Sequence, residues 1–165
     1  MANYKGHIVG GVLAGGVLTL ALTHVPVEQL AESAGVLQDQ QALVAIFVLA
    51  ILFALFPDID TNSKGQDIFY GLALVMDILL IINGNIEAAA FLGLIAMAPI
   101  VGKHRGWTHS KLAMVLVPAP IILVPYLYDP ATLPIVAVYY GACVAGYFSH
   151  LLLDGLIIKR FRIKT

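Results

Sequence analysis

The amino-acid sequence predicts an all-α integral membrane protein of about six transmembrane helices with both termini cytoplasmic. Three observations carry that prediction. The composition is 60% hydrophobic and only 12% charged, about half the charged fraction of an ordinary soluble domain, and the mean hydropathy is +0.91. Apolar residues gather into six runs, at about 8–25, 41–56, 66–82, 86–101, 111–128 and 132–158. Finally, if the connections between six spans alternate sides, every basic residue falls on the same side. Lys5, Lys64, Lys103, Arg105, Lys111, Lys159, Arg160, Arg162 and Lys164, all nine basic residues, fall on one side; Glu28, Glu32, Asp39, Glu87 and Asp129 fall on the other. Positive charge marks the cytoplasmic face, and a wrong span count would scatter it over both. The length of 165 residues accommodates one domain, so 1–165 reads as a single transmembrane helical domain.

The first run carries Gly10, Gly11, Gly15 and Gly16 at helical spacing, which lets a neighbouring backbone approach closely. A single Lys5 before it makes a weak signal-peptide n-region, and further apolar runs follow, so the segment reads as a retained span that keeps His7. The second, third and fourth runs are short against the roughly 17–25 residues a spanning helix uses, and must borrow flanking residues or thin the bilayer locally. Pro118, Pro120 and Pro125 should bend the fifth. Cys143 lies within the sixth and reads as a small buried hydrophobe, with no disulfide or thiolate metal motif to join.

The polar residues inside this apolar framework are few and gathered. Lys103-His104-Arg105-Gly106-Trp107-Thr108-His109-Ser110 places two imidazoles and a guanidinium between apolar runs. Two histidines five apart do not share a helix face, so a turn at Gly106 is expected to aim both rings at one point. Thr108 or Ser110 should cap the fifth helix, and Trp107 reads as an interface anchor. In the Phe56-Pro57-Asp58-Ile59-Asp60 stretch the proline ends a helix and two carboxylates follow, one suited to bind metal and the other to orient a histidine or act as a base. His150 and Asp154 lie one helical turn apart inside the last span. Ionisable groups there are costly, about 2.5–3.5 kcal/mol each at the span centre on insertion scales, and mark functional sites. Tyr147 is spaced to support His150. Asp77 sits toward the outer half of the third span and reads as a packing residue, while His24 falls at the opposite face.

The six-span topology brings His7, Asp58, His104, His109, His150 and Asp154 to the cytoplasmic leaflet as a pool of metal ligands. Asp60 is the candidate general base, and Arg105 the candidate clamp for an anionic oxygen, which a guanidinium holds with two hydrogen bonds. Imidazole and carboxylate donors without thiolate suit one or two divalent ions, zinc above all, with manganese or iron as alternatives. Such a site supports hydrolysis. Membrane lipid is the expected partner and a lipid-like phosphorylated compound the expected substrate; nothing points to nucleic acid, and the oligomeric state is not legible. The competing reading is a divalent-metal or proton transporter using the same cluster. Transport favours ionisable groups near the midplane, whereas these gather at one face. A third reading makes the cluster a scaffold that only fixes helix packing.

Taken in order, Gly6-His7, Pro57-Asp58-Ile59-Asp60, His104-Arg105-Gly106-Trp107-Thr108-His109-Ser110 and Gly146-Tyr147-Phe148-Ser149-His150 with Asp154 resemble the YdjM-type membrane-bound metal-dependent hydrolases of the bacterial inner membrane. The resemblance implies an inner-membrane location and hydrolase activity, and it covers residues 6–154. Two departures limit what carries over. Thr61 follows the second aspartate where the family commonly has a histidine, and a basic tail, Lys159–Lys164, stands where many members continue into a segment containing proline and glycine. That tail is expected to contact anionic lipid.

Overall fold

The computed structural model describes residues 3–24, 37–59, 64–97 and 107–157, and within them every regular element is helical. The elements are α1 (Tyr4–His24), α2 (Gln40–Leu55) continued by a 3-10 turn (Phe56–Asp58), α3 (Lys64–Ile82), α4 (Ile86–Met97), α5 (Lys111–Leu116), α6 (Ala119–Tyr128), a second 3-10 turn (Pro130–Thr132) and α7 (Leu133–Leu153). Five stretches are long and apolar enough to cross a membrane: Tyr4–His24, Gln40–Asp58, Lys64–Ile82, Lys111–Tyr128 and Pro130–Leu153. The fourth apolar run forms α4, whose 12 residues measure about 18 Å against a hydrocarbon core of about 30 Å. The rest of that run, 98–101, lies outside the described residues.

The fifth run is divided. α5 ends at Leu116 and α6 begins at Ala119, because Pro118 and Pro120 offer no N–H to the preceding turn. Pro125 lies inside α6. Ser110, not Thr108, caps α5: its Oγ accepts the Ala113 N–H at 3.0 Å. Asp39 caps α2 in the same way, through the Gln41 N–H at 2.9 Å.

α1, α2 and α7 pack against one another most extensively, and one turn of α2 shows how. A Cβ added to Gly146 would stand 2.0 Å from the Ala50 carbonyl oxygen, and one on Gly11 would stand 2.9 Å from the Ile51 Cα. α7 and α1 therefore cross α2 on adjacent residues, backbone against backbone, the close approach that only glycine allows. Gly10 and Gly15 are also closely packed, by Leu153 with Ser149 and by Phe47 respectively, while Gly16 faces open space. Beside the crossing, Phe56 packs on Phe53, Phe69 and Tyr147, with Phe56 and Tyr147 fully buried.

α3 and α4 form a hairpin at the periphery, turned by Asn83-Gly84 with Gly84 at φ +79°. Leu74, Val75, Ile78, Leu79 and Ile82 of α3 are exposed, as befits a lipid-facing helix. Asp77 is half-buried on α3, and its Oδ1 has no hydrogen-bond partner among the described residues.

Candidate metal centre

The crossing at Ala50 dictates what lies one helical turn away. His7 precedes Gly11 by four residues, His150 follows Gly146 by four, and Ala54 follows Ala50 by four. The three helix ends therefore bring His7, His150 and the Ala54 carbonyl together. A further turn along α2 and α7 come Asp58, in the 3-10 turn that Pro57 starts, and Asp154. α7 ends there because Gly155 adopts φ +70°, and the Leu156 N–H returns to the Leu151 carbonyl at 2.9 Å, the left-handed closure typical of glycine.

His109 enters from the segment before α5. Tyr147 donates its hydroxyl proton to the Thr108 carbonyl, pinning that segment to α7 beside the cluster. Thr108 is buried, and its Oγ1 lies 3.2 Å from His109 Nδ1, which leaves His109 Nε2 facing the carboxylates.

Five side chains from four segments thus meet. His7 Nε2 stands 3.7 Å from Asp58 Oδ2 and 3.7 Å from Asp154 Oδ1. His109 Nε2 is 3.4 Å from Asp58 Oδ1 and 4.0 Å from Asp154 Oδ2. His150 Nε2 is 3.8 Å and 3.6 Å from those same two oxygens. The side chains of His7, His150 and Asp154 are at most 2% exposed, while His109 and Asp58 retain 13% and 23%, so the cluster opens on their side. The rings of His7 and His150 stack at 3.8 Å, and that of His109 stands edge-on to His150 at 5.3 Å.

This arrangement fits a divalent metal. Direct charge-assisted imidazole–carboxylate hydrogen bonds would draw nitrogen and oxygen to about 2.7–2.9 Å, yet these six distances are 3.4–4.0 Å. Donors held roughly 2.0–2.2 Å from an ion are separated by roughly 3.0–4.2 Å. One ligand atom from each of Asp58, His109, His150 and Asp154 can be chosen so that all lie within 4.8 Å of one another. The tautomer of His150 agrees: its Nδ1 lies 2.7 Å from the Ala54 carbonyl oxygen, which can only accept, so Nδ1 carries the proton and Nε2 presents a lone pair. That Nε2 is buried and makes no hydrogen bond among the described residues.

Of the residues singled out in the sequence, His7, Asp58, His109, His150 and Asp154 are gathered here. Asp60, His104 and Arg105 lie outside the described residues. His24 ends α1 at the opposite end, exposed, with Nδ1 bonded to the Leu20 carbonyl at 2.8 Å. Tyr147 supports the site through the His109 segment. Sequence reasoning missed the Ala54 carbonyl and the role of Gly146. A backbone acceptor leaves no mark in sequence, but a small residue four positions from a histidine on both α1 and α7 was a visible sign.

Fold and cluster together define a class: an all-helical, multi-pass membrane protein with a buried histidine–aspartate site, able to hold metal, at one end of its bundle. The chain belongs to the YdjM inner membrane protein family, whose model matches residues 1–159, and it is a protein of the inner membrane. No curated protein and no solved structure matched the chain.

Proposed function

We propose that this protein is an integral-membrane, metal-dependent hydrolase that acts on a phosphoester or other ester of an amphiphilic substrate at the cytoplasmic membrane face. The observation that carries the reading is the set of imidazole–carboxylate distances at 3.4–4.0 Å around a buried, oriented His150. They are longer than direct charge-assisted hydrogen bonds and suited to a shared cation. Zinc is the favoured ion for this donor set, with manganese or iron next.

Bound metal would supply Lewis acidity and a hydroxide near neutral pH. The chain's own residues supply the rest. His7, Asp58, His109, His150 and Asp154 hold the ion, and the Ala54 carbonyl and Thr108 orient two of the rings. The partly exposed edge at Asp58 and His109 is where a scissile bond enters. Asp60 follows Asp58 by two residues and is assigned the general base, while Arg105, between His104 and His109 in sequence, is assigned the clamp on the substrate's anionic oxygen. The position of the cluster at a bundle end, where α1 begins and α2 and α7 finish, supports a substrate presented from the lipid interface.

The test is turnover by purified protein stripped of metal and reloaded with zinc or manganese. A chromogenic phosphoester or a bacterial lipid extract should yield product only with metal, and Asp154→Asn should lose that activity. Folded, metal-loaded protein that releases no product from either would overturn the proposal.

A further inference from the structure

The six distances divide by carboxylate oxygen. His7 faces Asp58 through Oδ2 and Asp154 through Oδ1. His109 and His150 both face the opposite oxygens, Asp58 Oδ1 and Asp154 Oδ2. Each carboxylate thus turns one oxygen toward His7 and the other toward the histidine pair. The rings of His7 and His150 stack, 3.8 Å between centroids and 16° from parallel, and their Nε2 atoms face the two carboxylates through different oxygens. His7 also stands outside the group of four residues whose donor atoms lie within 4.8 Å of one another.

We infer that the cluster is a two-ion centre bridged by Asp58 and Asp154, with His109 and His150 completing the coordination of one ion and His7 serving the other. The inference rests on the metal-centre part of the reading above and deepens it. The first half-site has four protein donors, Asp58 Oδ1, Asp154 Oδ2, His109 Nε2 and His150 Nε2. The second has three among the described residues, Asp58 Oδ2, Asp154 Oδ1 and His7 Nε2. A pair of ions suits in-line displacement at phosphorus, where attacking and leaving oxygens both need charge stabilisation. The substrate class narrows accordingly to phosphate esters.

The experiment is metal stoichiometry and electron paramagnetic resonance on detergent-purified full-length protein reconstituted with manganese. The wild type should take up two equivalents per chain and show a spin-coupled multiline spectrum. His7→Ala should retain one equivalent and give the signal of an isolated ion, with circular dichroism and thermal unfolding confirming its fold. If one equivalent saturates the wild type and its spectrum is uncoupled, the two-ion assignment is overturned while a one-metal hydrolase survives. If no metal binds, the proposed function fails with it. Should His7→Ala not fold, the wild-type titration and spectrum decide alone.

Discussion

Gly146→Ala should damage the metal centre without touching a ligand. The new Cβ would lie 2.0 Å from the Ala50 carbonyl oxygen, 2.8 Å from its carbon and 2.9 Å from the Ala50 Cα. All three are backbone atoms inside α2, so no side chain can swing away. Relieving the contact to an ordinary carbon–oxygen approach of about 3.3 Å requires α7 to move from α2 by about 1.3 Å. His150 lies one turn further along, and its Nδ1 is 2.7 Å from the Ala54 carbonyl; a shift of that size breaks this bond and moves Nε2. Metal sites tolerate about 0.2 Å in ligand distance. Overpacking of this kind costs about 1–3 kcal/mol, and losing the bond that orients a ligating histidine costs about 10–100-fold in metal affinity. The assay is competitive metal titration of purified protein, with thermal unfolding measured alongside. Gly16→Ala is the matched control: the added methyl meets nothing within 4 Å, and the change should leave affinity unaltered. If Gly146→Ala binds metal as the wild type does, the helix crossing does not set the site.

Two further outcomes follow from the same geometry. Tyr147→Phe removes the donor to the Thr108 carbonyl and leaves a buried acceptor, a loss of about 1–3 kcal/mol readable as a lowered unfolding temperature; because Thr108 precedes His109, metal affinity should fall too, and a change in stability alone would sever Tyr147 from the site. For topology, we propose a sixth crossing that includes α4: the start of α1 and the end of α7 meet at His7 and Asp154, which an even number of crossings would bring to one face, and five described stretches are long and apolar enough to cross. Single cysteines at Asn85 and Trp107 should accordingly label from opposite faces with a membrane-impermeant thiol reagent, while native Cys143, fully buried, stays silent; labelling from one face would sink the sixth crossing.

How much of this was legible beforehand depended on what the membrane enforces. Lipid obliges apolar runs to be helical, and sorting the connections by charge puts His7, Asp58, His109, His150 and Asp154 on one side, the residues that the structure brings together. That reasoning reaches a face of the bilayer, not a contact. Which atoms of Asp58 and Asp154 face which histidine depends on helix rotation, and rotation is set where Gly11 and Gly146 cross Ala50 and Ile51, a pairing between distant segments. The glycines of α1 were readable as packing residues, yet Gly16 proved open while Gly146 made the tightest approach. Prolines at 118 and 120 signalled a bend, and the helix breaks there outright, leaving α5 with six residues.

The same crossing bears on whether the cluster is only a structural staple. A staple would gain most by closing its imidazoles onto its carboxylates, yet His150, in the last turn of α7, and Asp154, which caps it, stand 3.6 Å from each other. Their separation is held from outside, by the Ala54 carbonyl on one ring nitrogen of His150 and by glycine contacts one turn further along. Elements that hold imidazole and carboxylate donors 3.4–4.0 Å apart stabilise an arrangement that becomes more favourable when a cation lies between the donors. A packing device would not need His150 Nε2 buried and facing inward; a cation does.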